Sequence, residues 1–134
     1  MKTNKENQTL STLWIFVTLN YLYCDVLGLF DAHTLQQLLN GTVEGMEMTE
    51  GFLFGAGVLM EIPMIMVVLS RILRNKTNKI ANMIAAVIMT AAQTGSLFVG
   101  EIALHYSFFS LIEISTTVFI FWYALKKLPG IEEV

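Results

Sequence analysis

The sequence of 134 residues is poor in charge, in cysteine and in proline: Asp, Glu, Lys and Arg make up 14% of it, Cys24 is its one thiol, and its two prolines are Pro63 and Pro129. Each scarcity excludes something. A soluble domain carries about 25% charged residues, so this chain does not have the surface chemistry of one. A single cysteine permits neither an internal disulfide nor a Cys-x-x-Cys redox pair. Eight Lys and Arg against eleven Asp and Glu leave a net charge of −3, which gives no basic footprint for nucleic acid. A metal-ligand cluster, a nucleotide-binding motif and an activated nucleophile are also missing from the pattern, which argues against an enzyme.

What is present is apolar sequence. Hydrophobic residues make up 54% of the chain, the mean hydropathy is +0.60, and the apolar residues gather in four runs at about 10–30, 52–70, 80–100 and 104–125. Each run is about 20 residues, enough at ~1.5 Å per residue to cross a ~30 Å hydrocarbon layer. The expectation is an all-α fold: one membrane domain over residues 1–134, built as a four-transmembrane-helix bundle in a lipid bilayer. The first run is too long for a signal-peptide core and lacks a small-x-small cleavage site, so it reads as retained. Pro129-Gly130 stops the last run.

The cations set the orientation, because Lys and Arg in short loops stay on the cytoplasmic side. Lys2 and Lys5 precede the first run. Arg71, Arg74, Lys76 and Lys79 fill the loop between the second and third, and Lys126 and Lys127 follow the fourth. The opposite loops carry Asp31, Glu44, Glu47, Glu50 and Glu101 and no cation, while Glu6, Glu132 and Glu133 sit in the tails. Both termini are therefore expected in the cytoplasm of a multi-pass membrane protein. In the long outer loop, Asp31 can cap a short interfacial helix whose Leu35, Leu38 and Leu39 share a face and which Asn40-Gly41 ends. Such a helix would lie over the bundle as a lid or fill a gap between helix ends.

Three acids, Asp25, Glu61 and Glu113, fall inside the runs. An ionisable group at mid-membrane costs about 2.5–3.5 kcal/mol on insertion scales, so such groups usually face the bundle interior and mark a functional path. Helical spacing gives each run one polar stripe: Trp14, Thr18, Tyr21 and Asp25; Phe54, Gly57, Glu61 and Met64; Met89, Gln93, Ser96 and Gly100; Tyr106, Ser110, Glu113 and Thr117. Counted from the outer ends, Asp25, Glu61, Gln93 and Glu113 lie about five to nine residues deep, within a few ångströms of each other. The expected site is a cavity in the outer half of the bundle lined by these four. Tyr21 stands on the stripe of the first run, Asn20 lies below, and Glu101 and His105 are at the mouth. No Lys or Arg lies within a run, so the carboxylates either carry protons or await a cation. A proton relay, a cation site and a pocket for an amine or a polar headgroup all suit that arrangement. Protonated acids that only tie helices together, at roughly 1 kcal/mol per contact, suit it too.

Pro63 lacks an N–H and predicts a kink beside Glu61. Glu101 and His105 would share a helical face if the fourth helix began early, but two such groups do not make a metal site. Neither a metal nor another cofactor is expected, and the eight methionines read as core filler. The stretches Leu13-Trp14-Ile15-Phe16-Val17, Asn20-Tyr21 and Asp25, with Gly57-Val58-Leu59-Met60-Glu61-Ile62-Pro63, resemble small four-helix membrane proteins of bacteria and archaea. The Gly-x-x-x-Glu of the second run is similar to that of DoxX-like proteins. The resemblance implies a four-helix bundle in a prokaryotic inner membrane and supplies no activity. Two functions follow as expectations. One is a cavity that binds or conducts a cation, a proton or a small amphipathic ligand. The other is an accessory subunit packed against a larger membrane partner or a second copy, in which one acid faces away from the bundle axis.

Overall fold

The computed structural model describes residues 2–129, with side chains from Lys5 onward; Gly130, Glu132, Glu133 and the side chain of Lys2 lie outside the described residues. The chain runs α1 (Lys2–Gly28), α2 (Ala32–Leu39), β1 (Thr42–Val43), β2 (Met46–Glu47), α3 (Glu50–Ile72), α4 (Asn75–Ser96) and α5 (Leu104–Lys127). It is all-helical apart from the small hairpin. The long helices pack in a ring, α1 against α3 and α5, and α4 against α3 and α5. Leu10, Trp14, Val17 and Tyr21 of α1 meet Met66 of α3, Ala85, Ala86 and Met89 of α4, and Ile120 and Ala124 of α5 at the centre. The spacing of the α1 set, i, i+4, i+7, i+11, is one helical face. The small side chains on α4 let its neighbours approach closely.

Most of the large apolar side chains point outwards. Phe54, Val58, Ile65 and Val68 of α3, Ile84 and Val87 of α4, and Phe108, Leu111 and Val118 of α5 are all exposed. An apolar surface of that extent belongs in lipid, not in water. Among the described residues three helices are long and apolar enough to cross a membrane: Lys5–Gly28 within α1, Glu50–Ile72 and Leu104–Lys127. This is a membrane protein. The sequence predicts four such segments, and α4 is the one that falls short. Its first turns read Asn75-Lys76-Thr77-Asn78-Lys79, and Asn82, Thr90, Gln93 and Thr94 follow.

Asn78 and Asn82 have structural work at the end of the molecule that carries the Lys and Arg side chains. Asn82 Oδ1 accepts from Trp14 Nε1 (2.7 Å) and Ser70 Oγ (3.1 Å), while Asn82 Nδ2 donates to the Asn78 carbonyl (2.8 Å) and to Asn78 Oδ1 (2.7 Å). Asn78 Nδ2 donates in turn to Asn7 Oδ1 (2.9 Å) and the Ser70 carbonyl (2.8 Å). Ser11 Oγ donates to the Val67 carbonyl (2.7 Å) and accepts from Arg71 Nε (2.9 Å). Asn78, Asn82, Ser11 and Ser70 are fully buried. A closed network of this kind joins α1, α3 and α4 without leaving a buried polar atom of these asparagines to bear a desolvation cost.

The boundaries differ from the expected ones where a polar or glycine signal was outweighed by apolar neighbours. The third run, expected to 100, ends as a helix at Ser96. Leu97, Phe98 and Val99 continue in tight turns, and Gly100 takes φ +70°, a left-handed conformation no helix continues through. Glu101 therefore lies in a loop, and it does not share a helical face with His105. The helix α3 continues through Pro63, which is buried against the bundle. The short helix behind Asp31 is present as α2, capped by the Asp31 carboxylate and ending at Asn40 with Gly41 at φ +74°. The hairpin after it is unanticipated: Thr42 pairs with Glu47 and Val43 with Met46 around Glu44-Gly45, both at positive φ (+49° and +78°). This is the mirror-image turn that two-residue hairpins favour.

The asparagine network carries a prediction. Asn82→Ala leaves the Trp14 indole and the Ser70 hydroxyl without their acceptor, and should lower stability by about 1–3 kcal/mol. Val87→Ala, on the exposed face of the same helix, should cost much less; reversible denaturation in detergent micelles compares the two.

Candidate functional site

Above the asparagine network, α4 and α5 are joined by a ladder of paired side chains. Thr90 Oγ1 and Thr117 Oγ1 share a hydrogen bond (2.7 Å), Gln93 Nε2 donates to Ser110 Oγ (2.7 Å), and the Tyr106 hydroxyl donates to Ser96 Oγ (2.5 Å). Partners rise along α4 as they fall along α5, so the two helices are antiparallel. Glu113 stands on the same face of α5, between Ser110 and Thr117, and is only 1% exposed. Neither of its carboxyl oxygens has a hydrogen-bond partner among the described residues, and the same holds for the buried Tyr21 hydroxyl. Glu113 lies within electrostatic reach of Asp25, Tyr21, Cys24 and Tyr106. A carboxyl buried without a partner is costly in a low-dielectric interior. A proton, a water or a bound cation would complete the site.

Cys24, Asp25 and Tyr106 also form part of the wall of a cavity of about 620 Å³ at the end of the molecule opposite the Lys and Arg residues. Its inner wall comes from α1, α4 and α5. Its cover comes from α2 and the hairpin, through Thr34, Leu38, Val43, Glu44 and Met46. The cover is fastened at both ends. At α2, the Asp31 carboxylate accepts from the Thr34 hydroxyl (2.7 Å) and the Thr34 N–H (2.9 Å). These two bonds hold Asp31 below the usual carboxylate range, with His33 and His105 adding to the effect. At the hairpin, the Glu44 N–H donates to Gln37 Oε1 (3.2 Å), and Glu44 Oε2 accepts from the Glu101 N–H (3.1 Å). The Glu44 carboxylate rests on Gly100, where any Cβ would collide with it. Gly100 is thus required twice, by its positive φ and by that approach.

Of the residues expected to form one cavity, the structure brings some together and separates others. Asp25, Glu101 and His105 line the chamber, with Glu101 on the α4–α5 loop and His105 in the first turn of α5. Tyr21 and Glu113 lie behind its wall, in the packed interior. Gln93 is engaged with Ser110. Glu61 does not join them. Pro63, Met66 and Ser70 make the buried face of α3, and at about 100° per residue Glu61 stands about 200° from Pro63. It is exposed, as are Phe54, Gly57 and Met64 of the same stripe. Asn20 is also outside the site; its Nδ2 donates to the Phe16 carbonyl of its own helix (2.8 Å). Sequence reasoning missed Glu44, Gly100 and the asparagines. The Glu44-Gly45 pair between two β-compatible dipeptides was the one signal for the first.

Residues 2–128 match a family of unknown function, DUF6326. No curated protein and no solved structure matches the chain. The resemblance to DoxX-like proteins, carried by Gly57 and Glu61, finds no support in these matches.

The Glu44 fastening is testable. Gly100→Ala and Glu44→Gln should each speed amide hydrogen exchange over residues 41–48 by about tenfold or more, leaving exchange in the middle of α5 unchanged. Unaltered exchange across the hairpin in both variants would show that the contact does not hold it.

Proposed function

The chain belongs to the DUF6326 family, and from its geometry we propose that it is a four-span protein of a prokaryotic inner membrane whose acidic interior binds or conducts a positively charged species. In this reading α4 is the fourth span. Its antiparallel pairing with α5 and its place between the end of α3 and the start of α5 support that, since a chain that crosses in the same direction along α3 and α5 must return between them. Of the polar residues of α4, Asn78, Asn82, Thr90 and Gln93 are turned to its neighbours, where lipid does not meet them. Lys5, Arg71, Lys79 and Lys126 near one end, and Asp31, Glu44, Glu47 and Glu101 near the other, support an orientation with both termini in the cytoplasm.

The observation that carries the functional reading is Glu113. Every other polar position on the inner face of α5 from Tyr106 to Thr117 is paired, and this carboxyl, buried and beside Asp25 and Tyr21, is not. A purely structural acid would be expected to take a partner from the ladder around it. With Asp25 in the chamber wall, Glu113 gives a path from the chamber to the packed centre along which a proton or small cation can be held.

A second reading is favoured by Glu61. It lies among exposed apolar residues near the middle of α3, and a carboxylate facing hydrocarbon is expensive. That position suits an accessory subunit that buries Glu61 against a larger membrane partner. One experiment separates the two. In proteoliposomes, Glu113→Gln should reduce proton or monovalent-cation uptake by about tenfold or more, while Glu61→Gln leaves it near wild type. Wild-type uptake in Glu113→Gln would overturn the first reading.

A further inference from the structure

We propose that the chamber between Asp25 and the hairpin is a site for a lipophilic organic cation, an alkyl- or arylammonium-type ion, and not for a hydrated inorganic ion. The inference rests on the cation-binding reading above and narrows it. The first argument is size. At about 620 Å³ the chamber falls within the range of ~300–1,000 Å³ typical of sites for drug-sized molecules. An inorganic ion would leave it to be filled by about 20 waters at ~30 Å³ each. Leu29, Leu38, Val43, Met46, Phe52 and Ile102 supply much of the wall, and such side chains give water few partners.

The second argument is charge. Asp25, Glu44 and Glu101 line the chamber, and among the described residues no Lys or Arg does. Glu44 accepts from the Glu101 N–H, whereas the carboxylates of Asp25 and Glu101 make no hydrogen bond or ion pair among the described residues. Behind the same wall the Glu113 carboxyl is nearly fully buried and unpartnered among the described residues. Carboxylates set in a largely apolar wall match positive charge carried on an apolar body. Phe52 and Tyr106 bring aromatic rings to that wall, and such rings attract organic cations.

The third argument concerns ligands for metals. Among the described residues there is no group of three or more His, Cys, Asp or Glu side chains placed to hold a metal ion. The wall therefore lacks the set of hard ligands that would strip water from Ca²⁺ or Mg²⁺, while it has the surface that would hold a hydrocarbon body. The cover of α2 and hairpin, fastened through Glu44, would lie over one side of such a ligand.

The test uses the full chain in lipid nanodiscs and tetraphenylphosphonium as the probe, with empty nanodiscs of the same lipid to subtract partition into the bilayer. Saturable binding is expected, weakened at least about tenfold by Asp25→Asn. Val43→Trp, which fills the chamber from the cover without changing charge, should weaken it to a similar degree. Asp25→Glu should retain it, and unchanged circular dichroism and elution volume would establish that the variants are folded. Equal binding in wild type, Asp25→Asn and Val43→Trp would overturn the inference. So would the absence of saturable binding while Glu113→Gln still abolishes proton or cation uptake, an outcome that leaves the broader reading intact. Loss of both the binding and the effect of Glu113→Gln would defeat the two together.

Discussion

The hydrogen bonds converging on the Asn82 amide are the constraint on which the rest of the structure depends. In lipid the apolar side chains of this chain have no preference for one another over the surrounding hydrocarbon, so burial of Leu, Ile and Val cannot by itself decide which helix faces meet. Polar side chains decide it. Asn82 takes the Trp14 indole from α1, the Ser70 hydroxyl from α3 and the Asn78 side chain of its own helix. That sets the rotation of α4 about its axis and places Ala85, Ala86 and Met89 in the interior.

Once α4 is so rotated, the residues further along the same face follow. Thr90, Gln93 and Ser96 arrive opposite Thr117, Ser110 and Tyr106, and the ladder they make fixes α5. Glu113 is carried to the centre as a consequence of being on the face that the ladder needs, yet it is the position the ladder does not satisfy. The interior is organised by complete pairing around the asparagines and interrupted in the middle by a carboxyl without a partner among the described residues. The chamber, with its cover held by Glu44 and Gly100, lies at the end opposite the asparagines.

The sequence made the polar stripes of α1 and α5 legible, because Trp14 and Tyr21, and Tyr106, Ser110, Glu113 and Thr117, recur at the period of a helix with few competing polar residues around them. The short helix behind Asp31 was legible from its cap and its Asn-Gly stop. The stripe through Glu61 misled, since an acid in an apolar run is expected to face inward, and the face that is buried is set instead by Pro63, Met66 and Ser70, none of them a strong signal. The asparagines of α4 read as a polar flank before a span, because only the contacts with Trp14, Ser70 and Asn7, from 8 to 71 residues away in the chain, give them their role. Glu44 and Gly100 are similarly distant, and no local pattern joins them.

At the centre stands the proposal that α4 is a fourth span and crosses the bilayer with its polar face turned inward. Thiol accessibility tests it most directly. In a Cys24→Ser background, single cysteines are introduced as Lys76→Cys, Val87→Cys and Phe98→Cys, and a membrane-impermeant maleimide is applied to right-side-out and inverted vesicles. Labelling of position 76 only in inverted vesicles, of position 98 only in right-side-out vesicles, and of position 87 in neither is the predicted result. Labelling of 76 and 98 from the same side, or ready labelling of 87, would contradict it.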